Sequence, residues 1–200
     1  ESGDTLNASY TLNNIGLVYS EKGDYVNALE NLQASLNLKE AINDSAEVSS
    51  TMTNIGVVYK DLKLFDQARE FFLNSIAINL ERGDSASLAL SYGSMADLEL
   101  EDENLGEAMQ YIDQTIAIQE EAKLLPGLVS SYHTRGDIFL ASSVYDSAQV
   151  YYTRSRQLAE ELEDKKGIAK SILGQAKVHE AKKQYMAALA SGLEVRGMVE

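Results

Sequence analysis

Self-similarity at a fixed spacing constrains this chain more than any other feature, because a period of 20–50 residues marks stacked supersecondary units and outranks any reading of single elements. The period is 40. It shows in Ala28, Ala68, Ala108, Ala148 and Ala188, and in the small residues Gly16, Gly56, Ala96, Gly136 and Ala176. Large apolar residues recur at Tyr25, Phe65, Leu105, Tyr145 and Tyr185, and aspartates at Asp4, Asp44, Asp84 and Asp164, with Leu124 the exception. Five repeats, about 4–43, 44–83, 84–123, 124–163 and 164–200, account for the chain.

Within each repeat, apolar residues at helical spacing define two helices, for example Leu12, Ile15, Val18 and Tyr19, then Ala28, Leu29, Leu32 and Leu36. The pattern predicts pairs near 5–21 and 25–42, 45–61 and 65–82, 85–102 and 105–122, 126–142 and 145–162, 165–182 and 185–200. Asp4, Asp44, Asp84 and Asp164 stand where an N-cap would satisfy free amides, and Pro126 suits the first turn of the fourth repeat's first helix. A glycine inside a helix costs about 0.5–1 kcal/mol against alanine. Recurrent Gly16, Gly56 and Gly136 therefore imply a close helix crossing, with Ala28 and its counterparts expected on the other side.

Composition agrees. The chain is 44% hydrophobic and 24% charged with one proline, no cysteine and no tryptophan, which excludes disorder, a disulfide scaffold and a thiolate metal site. A net charge of −14 repels phosphate backbones, so nucleic acid is not an expected partner. No apolar run long enough to span a membrane is present, and membrane contact by this segment is not expected. No phosphate loop, paired metal-binding histidines or nucleophile elbow is present; no enzyme activity, cofactor or metal is expected.

The repeat resembles the tetratricopeptide family in its spacing of large residue, apolar residue, Gly, Tyr, then Ala followed four later by a large residue. The first repeat gives Leu12, Ile15, Gly16, Tyr19, Ala28 and Leu32; the second Met52, Ile55, Gly56, Tyr59, Ala68 and Phe72; the fourth Tyr132, Gly136, Phe139, Ala148 and Tyr152. Arg135 departs before the glycine, Glu99 replaces the tyrosine, and the fifth repeat has Gln175, His179 and Gly192 at signature positions. The unit is six residues longer than the usual one and lacks its terminal proline, as in kinesin-light-chain-like scaffolds and bacterial peptide-sensing regulators. HEAT and armadillo repeats, of about 40–47 residues, are the alternative fold. The resemblance implies an all-α fold, a right-handed α-α superhelix (solenoid) of five helix-turn-helix repeats in one domain.

In such a solenoid first helices line a concave face that takes extended peptides. The residues expected there are Tyr10, Asn13, Asn14 and Leu17, then Thr53, Asn54 and Val57, then Ser94 and Asp97, then His133, Thr134 and Asp137, and finally Lys170 and Lys177. Asn14, Asn54, Ser94 and Thr134 hold one equivalent position, a polar ladder that ends at Gly174. Amides there would grip a peptide main chain, since an amide both donates and accepts; the resemblance implies this for Asn14 and Asn54. Charge is uneven: residues 83–122 carry ten acids and no Lys or Arg, whereas residues 154–200 carry nine Lys or Arg and seven acids.

The expected function is binding of a protein or peptide segment, as the ligand-sensing region of a larger bacterial signalling protein of the histidine kinase or transcription regulator type. A freestanding adaptor without an output domain is the alternative. The absence of an initiator at Glu1 and of a cap near Glu200 suggests a segment of a longer protein, with a periplasmic location favoured over cytoplasmic and a homodimer compatible with the fold.

Overall fold

The computed structural model describes residues Ser2–Met198 and places ten α-helices in them: α1 (Ser2–Glu21), α2 (Tyr25–Ala41), α3 (Ser45–Asp61), α4 (Phe65–Arg82), α5 (Ser85–Glu101), α6 (Leu105–Glu121), α7 (Leu125–Ala141), α8 (Tyr145–Glu161), α9 (Lys165–Ala181) and α10 (Tyr185–Gly197). No strand occurs among the described residues. Helix boundaries fall within two residues of the sequence expectation except at two places. The first helix starts at Ser2, so Asp4 lies inside its first turn and caps nothing. The last closes at Gly197, where the Met198 N–H bonds the carbonyls of Arg196 and Val195; the expected continuation to Glu200 falls outside the described residues.

From α2 onward each helix and its link together take 20 residues, which is why the sequence repeats at 40. All nine links contain one residue in the left-handed region, at positions 23, 43, 63, 83, 103, 123, 143, 163 and 183, with φ between 55° and 75°. The residue after it always donates its N–H to a carbonyl five positions back, as in Leu64 to Tyr59 (2.9 Å), Val144 to Phe139 (2.8 Å) and Gln184 to His179 (2.8 Å). That six-to-one bond closes the last helical turn. Only Gly23 and Gly83 meet the left-handed requirement without a side chain; Lys63, Glu103 and five others accept it at about 1–2 kcal/mol each. Aspartate caps the helices where the sequence placed it: Asp44 accepts from the Glu47 amide, Asp84 from that of Ser87 and Asp164 from that of Gly167, and Asp24 does the same for α2. Pro126 occupies the first turn of α7.

The chain divides into two compact halves between Leu98 and Glu99. In the N-terminal half α1 pairs with α2 and α3 with α4, and α2 packs on α3. Their core is Ala28, Leu32, Leu36, Val48, Ile55 and Val58, with Tyr25, Leu29, Met52 and Tyr59 at its edge. In the C-terminal half α7, α8, α9 and α10 pack in succession, and Ala148, Tyr152 and Val178 form a core against Phe139, Leu140 and Tyr145.

The close crossings are real: at Gly16 a Cβ would meet the Ala28 carbonyl at 3.1 Å, as expected, but the nearest contact is the side chain four residues past the alanine, Leu32 at 2.7 Å. A Cβ on Gly56 would come within 2.5 Å of the Phe72 ring, and one on Gly136 within 2.7 Å of Tyr152. Both rings lie one turn beyond the alanine of their repeat. The glycine is a seat for the large side chain at that position, and Leu32, Phe72 and Tyr152 are wholly buried there.

A second periodic system was not read from the sequence. Ser35, Ser75 and Ser155 are buried on second helices, and each donates to a first-helix carbonyl 26 residues earlier: Ser9 (2.7 Å), Ser49 (2.9 Å) and Val129 (2.7 Å). One turn further on, the buried residue differs in each of the first four repeats: Lys39, Asn79, Gln119 and Ala159. Lys39 bonds Glu47 (3.0 Å) and Thr51 (2.8 Å), Asn79 bonds Ser49 and Ser91, and Gln119 accepts from Ser131 (2.7 Å). Every one of these buried polar groups has a partner, as a low-dielectric interior demands.

Candidate functional site

On the N-terminal half residues of α3, α4 and α5 line a cavity of about 290 Å³. Ser49, Ser50, Thr53, Asn54 and Val57 line it from α3, Asn79 from α4, and Ser87, Leu90, Ser91 and Ser94 from α5. Its floor is a closed hydrogen-bond net: Ser49 to Asn79 (2.8 Å), Asn79 to Ser91 (3.0 Å), Ser91 with Ser75 (2.8 Å) and Ser75 with Thr53 (2.9 Å). No charged side chain lines the cavity. It therefore suits an uncharged group, with Leu90, two-thirds exposed, and Val57 as its apolar contacts.

The two asparagines of the expected ladder differ in circumstance. Asn54 donates to the Asn13 side chain on α1 (3.0 Å), which fixes its amide at the cavity wall and leaves its carbonyl oxygen and second N–H for other partners. Asn14 is exposed beside Thr11, Ile15, Val18, Tyr19 and Lys22, around a separate depression on α1. Tyr10 lies over the Lys39 ammonium at 5.3 Å, and its hydroxyl is pushed above the ordinary tyrosine range by partial desolvation and by the carboxylates of Glu47 and Asp44. Leu17 is half-buried on α1 and Asp97 is exposed on α5.

In the C-terminal half the first helices carry different chemistry at the same repeat positions. On α7, His133 Nε2 lies 3.4 Å from Asp137 Oδ2, and Asp137 Oδ1 accepts from the Tyr152 hydroxyl at 2.6 Å. Tyr152 reaches it by passing between α7 and α9: Cβ atoms on Gly136 and Gly174 would meet the ring at 2.7 and 2.5 Å. Thus the ladder ends in glycine at 174 because the ring occupies that space. Burial, then the Asp137 carboxylate, hold the Tyr152 phenol far above its usual range. Burial pulls the His133 imidazole below its usual value; Lys170 and Lys177 on α9 act in the same direction, and Asp137 opposes them. His133 Nδ1 is buried without a partner. Lys170 and Lys177 are exposed, and Thr134 is half-buried on α7.

The departures from the repeat pattern have local causes. Glu99 is fully buried and accepts from the Asn104 side chain (2.8 Å), pinning the α5–α6 link. Arg135 pairs with Asp113 on α6 (3.0 Å) and lies over the Tyr151 ring at 4.6 Å. Tyr151 in turn stacks on Phe139 at 5.5 Å, so this ring binds α8 to α7 within one repeat. Among the described residues no cluster of three or more His, Cys, Asp or Glu could hold a metal ion, and no helix is long and apolar enough to cross a membrane.

The sequence matches the family model described as tetratricopeptide repeat over residues 4–81 and 47–121. No curated protein matches it significantly. Among solved structures, BtubC (BKLC) from P. vanneervenii is similar with a TM-score of 0.78 at 15% identity, over 98% of this chain and 87% of that one. A Rap protein complexed with Competence and Sporulation Factor is similar with a TM-score of 0.85 at 11% identity, over 96% of this chain and 54% of that one. The quorum sensor NprR from B. thuringiensis, in its apo form, gives 0.71 at 16% identity, over 94% and 52%. At these identities the likeness is one of fold. The chain spans about half the length of the Rap and NprR structures.

Proposed function

This chain belongs to the tetratricopeptide repeat family, and from that premise we propose that it binds an extended peptide or protein segment along the inner faces of its first helices. The observation that carries the proposal is the uncharged cavity between α3 and α5, where Asn54 is held in place by Asn13 and presents its remaining amide capacity beside Ser50 and Ser94. Such groups suit a main chain or a small uncharged side chain. In the C-terminal half, His133, Asp137, Lys170 and Lys177 suit charged groups of a ligand. Regulators of related fold support the reading, since one is complexed with a sporulation factor and another is a quorum sensor.

In this reading the five repeats form one solenoid that is the ligand-sensing region of a larger signalling protein, and ligand binding biases the packing of one repeat on the next. Selection of a random peptide library on the immobilised chain, followed by calorimetry of an enriched peptide, tests the site. Asn54→Ala combined with Ser94→Ala is expected to weaken that peptide by about 1 kcal/mol, as for a lost hydrogen bond. Failure to enrich any peptide, or an affinity that the double variant leaves unchanged, would move the site off the cavity.

A further inference from the structure

We infer that Lys170 and Lys177 on α9 hold a carboxylate side chain of the bound peptide over Gly174, with His133 on α7 as the group that senses it. The inference rests on the peptide-binding reading above and names what such a peptide carries at this point. The repeat itself supplies the comparison. In the N-terminal half Asn13 and Asn54 bond each other between α1 and α3 at 3.0 Å. Three repeats on, their counterparts are His133 and Gly174, so the imidazole has lost the side chain that answers Asn13. The core enforces the loss, since a Cβ at 174 would come within 2.5 Å of the Tyr152 ring.

Lys170 and Lys177 flank that glycine, seven residues and so about 10 Å apart along the helix, and neither is held in an ion pair among the described residues. Their flexible four-carbon stems can converge on one acceptor, with three donors apiece. The charged and titratable groups that face His133 are Asp137 on its own helix, Tyr152 on α8 and the two lysines on α9. Asp137 is already committed: one oxygen accepts from Tyr152 at 2.6 Å and the other lies 3.4 Å from His133. The lysines are therefore left to an outside anion, and among peptide side chains only aspartate and glutamate bring that charge.

Burial and the two lysines keep the His133 imidazole below its ordinary range. A carboxylate seated between the lysines cancels their field, so the ligand favours protonation of His133 and protonation favours the ligand in return.

The probe is a pair of immobilised random peptide libraries, one with glutamate fixed at the centre and one with glutamine, offered to the intact chain at about pH 7.5 and at about pH 5.5, where glutamate is still ionised. The glutamate library is expected to retain about fivefold more protein, the yield of a partly exposed ion pair, and the ratio should rise at the lower pH. Lys170→Ala combined with Lys177→Ala should bring the two libraries level, and His133→Asn should remove the dependence on pH. In the imidazole spectrum of the intact chain, an enriched glutamate peptide should move the His133 titration upward and leave that of His179, the other histidine, in place. Equal retention on the two libraries would overturn the inference and leave the peptide reading standing, whereas retention on neither would remove both. Inorganic phosphate that moves the His133 titration as far as the peptide does would make this a free-anion site and overturn the inference as well.

Discussion

The first helices of the two halves are built on one backbone pattern and differ in chemistry, and part of the difference traces to three neighbouring positions. In the N-terminal half Phe72 fills the seat at Gly56, with Val57 and Ser94 at the cavity. In the C-terminal half the equivalent residues are Tyr152, Asp137 and Gly174. One added hydroxyl on the ring needs an acceptor, and Asp137 supplies it at 2.6 Å; the path of the ring to that acceptor removes the side chain at 174. A hydroxyl left without a partner at such depth would cost about 1–3 kcal/mol, so Tyr152 requires the acceptor at Asp137, whereas Asp97 holds the same repeat position with Ile112 in place of the ring. The lesson is that in this repeat the chemistry of an exposed position can be set by the core side chain beneath it.

The strongest test removes the rings. Phe72→Ala and Tyr152→Ala are each expected to cost about 3–5 kcal/mol in denaturant unfolding, the usual penalty for emptying a buried aromatic site. Equal losses would show that both rings serve the same packing role. The hydroxyl then separates the halves. Tyr152→Phe should cost about 1.5–3 kcal/mol, since Asp137 loses a charge-assisted bond. Phe72→Tyr should also destabilise, and Val57→Asp added to it should recover part of the loss; a double variant no better than the single would break the idea of coupled positions.

The helix caps should be indifferent to the half they lie in. Asp44→Ala and Asp164→Ala are each expected to lower stability by about 1 kcal/mol, because each leaves a helix-start amide without its acceptor.

Acidity gives the smallest effect and the sharpest contrast. The folded state holds His133 below its ordinary value of 6.5, so between that value and its lower folded one the unfolded chain binds more protons. Stability from this group is therefore full above pH 6.5 and is lost as pH falls through the folded value. The N-terminal half contains no histidine. Amide exchange in α7 and α8 should accelerate on mild acidification while that in α2 and α3 stays level, and His133→Gln should abolish the difference.

Much of this was legible beforehand. Period, helix count and boundaries followed from apolar spacing, and three of the four recurrent aspartates cap helices as expected. Asp4 misled because α1 begins two residues earlier, and a lone aspartate cannot mark a start when the residues before it also accept helical geometry. The links were half visible: Gly23 and Gly83 advertise a left-handed residue, but Lys63, Glu103 and Ser143 adopt the same conformation because the six-to-one bond and the packed helices on either side impose it. The serine spine also had a signal, since Ser35, Ser75 and Ser155 recur at 40 inside apolar helices. Among the candidate site residues, Asn54 and Asn13 were both placed on inner helices, yet their bond to each other depends on how α1 and α3 meet.

What the sequence determined by itself was the one-dimensional order: which segments become helices, where they stop and how often the motif returns. These depend on neighbours along the chain, whose spacing is written in the letters. Tertiary structure alone decided what fills each glycine seat and which buried polar group finds which partner. Those outcomes depend on distances of a few ångströms between residues 15–40 positions apart, such as Tyr152 to Asp137 or Ser49 to Asn79. Local patterning places such residues on facing helices but does not bring their atoms into contact.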